Sequence, residues 1–158
     1  MLLFRVICAV LMAWAVNFVL SRPEAQGLLG AVPEMGTIGP LAAAIVGFVN
    51  LSSRQGWGIV VAVANGVWAG VLSVITSGVL YLCYVAALGT MQGSIKNFES
   101  FLRVTGSETS DLFDLVVDIP LLVLTITATA ILGVLTELLH WTLVRLRRNK
   151  QDPSETPY

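Results

Sequence analysis

From Trp57 to Leu88 the chain carries no Asp, Glu, Lys or Arg. About 20 apolar residues suffice to cross the hydrocarbon core of a bilayer, so this run crosses with length to spare. That feature fixes the solvent of the protein as lipid. The rest of the composition agrees, because only 12% of the 158 residues are charged, against about 25% in soluble domains. The expected fold is all-α: a polytopic membrane helix bundle of about four transmembrane helices plus a short amphipathic surface helix. One transmembrane domain should cover residues 1–148. A disordered polar tail with Pro153 and Pro157 should cover 149–158.

The first span runs from Leu2 to about Leu20 and reads as an uncleaved anchor rather than a secretory signal, since Ala13-Trp14-Ala15 only loosely imitates a cleavage site. A loop from Ser21 to about Pro33 contains two prolines and two glycines, so it should not be helical throughout. Leu28 and Leu29 are positioned to rest on the membrane surface. The second span extends from about Glu34 to Leu51, with Gly36, Gly39 and Pro40 weakening its first turns. The third, Trp57 to about Leu88, would be roughly 45–50 Å long as a helix, beyond the core thickness of about 30 Å. It must tilt or project. Tyr81 and Tyr84 fall near its far end, where aromatic rings favour the interface.

Between Ser94 and Val104, Ile95, Phe98 and Leu102 share one helical face and the charged residues take the others. This is the pattern of a helix lying on a membrane surface, or packed on the bundle. The fourth span lies between Leu112 and Arg145. Pro120 should break or kink it at Ile119, with Asp118 capping the helix beyond. Asp111, Asp114 and Asp118 would then offset the macrodipole at its start.

Basic residues near the span ends set orientation. Arg5, Arg54, Arg145, Arg147, Arg148 and Lys150 lie on one side, and Arg22, Lys96 and Arg103 on the other. The larger group places both termini of a multi-pass membrane protein in the cytoplasm. Cys8 and Cys83 should then lie near opposite faces, too far apart for a disulfide. A net charge of -1 suggests no nucleic-acid partner. Neither a phosphate-binding loop nor a dinucleotide fingerprint is present.

Small residues matter where helices meet in lipid. Ala62, Gly66 and Gly70 recur every fourth position on the third span, with Asn65 beside them, and Ala43 and Gly47 offer a matching surface on the second. These six are the expected helix-packing positions. The fourth span carries a polar stripe of Thr125, Thr129, Gly133 and Glu137. Such a stripe should face the bundle interior or a partner protein, with the lipid bilayer around the rest. Glu137 is expected to pair with Arg54 or Arg5, with His140 and Trp141 at the interface. Glu137 and His140 have the Glu-x-x-His spacing of di-iron bundles, but the second copy that such a site needs is missing, so no metal or other cofactor is expected. A single histidine on the side opposite the aspartate row gives no Ser-His-Asp set and no catalytic residue.

Several short motifs resemble the TrgA family of small bacterial membrane proteins. They are Val46-Gly47 leading into Arg54 and Gly58, Ala64-Asn65-Gly66 with Gly70, the acidic stretch from Asp111 to Asp118 before a Leu/Thr-rich span, and Thr136-Glu137 with Trp141 and the terminal arginines. That family is linked to tellurite resistance in photosynthetic and marine alphaproteobacteria. The resemblance implies a non-enzymatic inner-membrane protein associated with tellurite tolerance. Two alternatives stand beside it. The first is an accessory subunit, or a homo-oligomer, whose glycine groove and polar stripe serve a membrane-protein partner. The second is a small transporter. An anion path usually needs buried positive groups, and the spans hold none in their interiors.

Overall fold

The computed structural model describes residues 2–53, 56–116 and 119–151. It is helical throughout its regular elements. In lipid a spanning segment must satisfy its own backbone, which a helix does and an isolated strand does not. The helices are α1 (Leu2–Leu20), α2 (Gln26–Ala31), α3 (Met35–Val49), α4 (Ile59–Met91), α5 (Phe98–Val116) and α6 (Ile119–Gln151). Four segments are long and apolar enough to cross a membrane: Leu2–Leu20, Met35–Ser53, Ile59–Met91 and Ile119–Leu146.

These four form a ring in which α1 packs on α3, α3 on α4, α4 on α6 and α6 back on α1. Successive spans alternate in direction. The start of α1, the α3–α4 turn and the last part of α6 therefore share one end of the bundle, as the 5.7 Å contact between the Phe4 and His140 rings shows. The α2 segment and the α4–α5 connection lie at the other. One core cluster, near the first end, gathers Cys8, Met12, Ala43, Leu51, Ala69 and Leu132. Another, toward the second end, gathers Val19, Leu28, Met35, Tyr81 and Leu121. Large apolar side chains also point outward: Leu3 is 73% exposed, Trp14 63% and Ile131 56%. Water would penalise such a surface, whereas lipid solvates it.

Local chemistry explains the ends of the helices. The hydroxyl of Ser21 donates to the Phe18 carbonyl at 2.7 Å as α1 stops, and Pro23 follows in a 3-10 turn. Gly56 and Gly58 take φ of +95° and +98° where the chain reverses into α4, a region that side chains disfavour. Pro40 is accepted inside α3. Pro120 sits in the first turn of α6, where its missing N–H costs little.

Several expectations need correcting. Leu28 does not rest on a membrane surface: it is buried with Val19, Met35 and Leu121, because α2 folds over that end of the bundle. Tyr81 is buried in the same cluster, while Tyr84 is exposed. The amphipathic helix is not confined to 94–104, since α5 continues to Val116. Asp111 and Asp114 therefore lie in the C-terminal half of α5 rather than in the fourth span. That span begins at Ile119, and Asp118, its proposed cap, is outside the described residues. Helix α6 runs to Gln151, past the expected start of the tail at 149. The remainder of the tail is outside the described residues.

Candidate functional site

The groove on α4 and the stripe on α6 meet each other. A Cβ added to Gly66 would overlap the Thr129 carbonyl oxygen and lie 3.0 Å from the Ala130 Cα. One added to Gly70 would overlap the Thr129 hydroxyl and lie 3.2 Å from its Cβ. From the other side, a Cβ on Gly133 would overlap the Ala62 carbonyl oxygen and come within 3.0 Å of the Gly66 Cα. The two backbones thus touch along Ala62, Gly66, Gly70, Thr129 and Gly133. Dispersion and close packing, rather than a hydrophobic drive, hold helices together in lipid. Ala62 is buried at this seam, and Asn65, three residues on, is buried too.

Ala43 and Gly47 do not provide the matching surface for that groove. A Cβ on Gly47 would meet the Cys8 carbonyl oxygen at 2.7 Å and the Met12 side chain at 2.8 Å, so this glycine lets α3 approach α1. Ala43 is buried in the cluster that holds Cys8 and Met12 of α1, Ala69 of α4 and Leu132 of α6. Spacing identified positions of close approach, but the choice of neighbour depends on how the ring closes.

Thr129 and Thr136 are fully buried, and their hydroxyls donate to carbonyls one turn earlier in α6, Thr129 to Thr125 at 2.9 Å and Thr136 to Leu132 at 3.0 Å. Glu137 is 1% exposed. A buried carboxylate is costly unless hydrogen-bonded. Its Oε2 accepts the Gly56 N–H at 2.8 Å and its Oε1 accepts the Gly58 N–H at 3.1 Å. Gly58 is the N-cap of α4, where orphan N–H groups and the helix dipole favour an anion. The carboxylate therefore ties α6 to the turn that starts α4. His140, one turn further along, closes the same corner. Its ring meets Phe4 edge-on, and a Cβ on Gly56 would lie 3.5 Å from its Nε2.

The expected partner Arg54 is outside the described residues. Arg5, the other one named, has its guanidinium 5.9 Å from the Phe48 ring centre. Sequence reasoning passed over Gly56 and Gly58 as partners of Glu137. Two glycines separated by one residue, just before a long helix, were the available signal. Cys8 is buried and Cys83 exposed, both as free thiols. Among the described residues no three His, Cys, Asp or Glu side chains gather in a way that could hold a metal ion. No protein-family model, curated protein or solved structure matches this chain.

Proposed function

We propose that the protein is a self-contained inner-membrane bundle that acts without catalysis and has a part in tellurite tolerance, with both termini in the cytoplasm. One observation carries the self-contained reading. The glycine groove and the polar stripe are engaged with each other inside one chain, and Glu137 is engaged with the α3–α4 turn. These were the surfaces on which an accessory subunit would have relied, and neither is left over for a partner. The link to tellurite, and to an alphaproteobacterial inner membrane, rests on the likeness of short motifs to the TrgA family.

The test has two arms. Protein tagged at native expression and purified in mild detergent should have the native mass of the chain alone, with no stoichiometric companion. Deletion should lower the tellurite concentration that the host survives, and Glu137→Ala should reproduce the loss by weakening the bundle. A stable companion would make the protein a subunit. Unchanged tolerance on deletion would remove the tellurite role.

A further inference from the structure

Toward the α2 end of the bundle the ring is not filled. A cavity of about 80 Å³ lies among α1, α2, α3, α4 and α6, walled by apolar side chains that include Val16, Leu20, Met35 and Leu121. Among the described residues no charged side chain lines it. Its polar features are three hydroxyls, of Ser73, Ser77 and Thr125. Each donates its proton within its own helix: Ser73 to the Ala69 carbonyl at 2.8 Å, Ser77 to the Ser73 carbonyl at 2.7 Å, and Thr125 to the Leu121 carbonyl at 2.8 Å. A hydroxyl has one proton and two lone pairs. The wall as arranged can therefore accept a hydrogen bond but has no proton to offer. It suits a neutral guest that brings a donor, and it disfavours anions and carbonyl compounds.

Gly78 is an independent sign that the space is kept open. It lines the cavity, and a Cβ placed on it would have nothing within 4 Å. Gly66, Gly70 and Gly89, on the same helix, each have a close neighbour that excludes a larger side chain. Packing does not require glycine at position 78, and glycine lowers helix propensity. A side chain there would project into the void.

We propose that this cavity binds a small neutral alcohol arriving from the lipid phase, with its carbon chain against the apolar wall and its hydroxyl donating to the Ser73, Ser77 or Thr125 oxygen. A cavity of about 150 Å³ holds benzene, so in proportion the space here, about 80 Å³, fits a guest of about three heavy atoms.

The test uses the full chain in lipid nanodiscs and carbon-13-labelled ethanol, a guest of three heavy atoms, followed by carbon NMR. Saturable binding is expected, about three- to tenfold tighter than that of dimethyl ether, an isomer of ethanol with no proton to donate, the difference made by one donated hydrogen bond. Gly78→Leu should abolish the binding without lowering the thermal unfolding temperature. Ser77→Ala, which leaves the void in place, should reduce the preference for alcohol over ether. Equal binding of alcohol and ether, saturation that survives Gly78→Leu, or the absence of saturable binding would each overturn the proposal. The last result would leave the cavity to water.

Discussion

Helices α4 and α6 run side by side through the bundle, yet their two halves are built on opposite principles. Near the Glu137 end the backbones are in contact, and each glycine is there because nothing larger fits: Gly66 and Gly70 against Thr129, Gly133 against Ala62. Toward the α2 end the same helices part around a cavity, and Gly78 has open space where its side chain would be. The same residue type serves as a close-approach device in one half and as a void in the other. A glycine in a transmembrane helix is thus not by itself a packing signal, and its meaning depends on what stands opposite.

The sharpest way to break this contrast is to place one bulky residue in each half. Gly133→Leu should overlap the α4 backbone and cost about 3 kcal/mol or more, at or above the upper range for overpacking. The readout would be a lower thermal unfolding temperature in mild detergent and loss of a monodisperse peak. Next in size is Glu137→Ala, which takes the acceptor from the Gly56 and Gly58 N–H groups, the first at an exposed residue and the second at a half-buried one. At about 0.5–1.5 kcal/mol for each, the expected loss is about 1–3 kcal/mol. Glu137→Gln keeps one acceptor oxygen and should lose roughly half as much. In either variant the Gly56 and Gly58 amides should exchange hydrogen faster than in the parent, which ties the loss to this corner.

Gly78→Ala belongs to the opposite class. It should be neutral or gain up to about 1 kcal/mol, the helix propensity difference between the two residues. A loss at Gly78 comparable with that at Gly133 would erase the distinction between the two halves. The smallest effect is expected at Cys83→Ala, an exposed position, within about 0.5 kcal/mol. Cys8→Ala, in the tightly packed cluster, should cost more.

The spans were legible because lipid demands long uncharged segments, and the run from Trp57 to Leu88 cannot be read otherwise. The positions of close approach were legible too, from four-residue spacing alone. Their pairing was not. Gly47 looked suited to the α4 groove, but it lets α3 approach α1, because the ring places α6 on that face of α4. The Glu137 contacts were hidden for a related reason. Its partners are backbone N–H groups of a turn some 80 residues earlier, made available by positive φ at Gly56 and Gly58. Side-chain identity, which sequence reasoning follows, pointed to arginine instead. The burial of Tyr81 and Leu28 likewise depends on α2 folding over the bundle end, and a loop rich in proline and glycine gave no sign of that.

The seam between α4 and α6 is best tested by a disulfide. In a background with Cys8→Ala and Cys83→Ala, Gly70→Cys and Thr129→Cys would be introduced together. A Cβ on Gly70 lies 3.2 Å from the Thr129 Cβ, close to the disulfide range of about 3.5–4.5 Å. Oxidation in membranes should give a link within one chain: after proteolytic cleavage of the α5 region the two halves stay joined until reduced. A covalent dimer would contradict this by showing that the groove of one copy receives the stripe of another, and no link at all would mean that α4 and α6 do not meet along these residues.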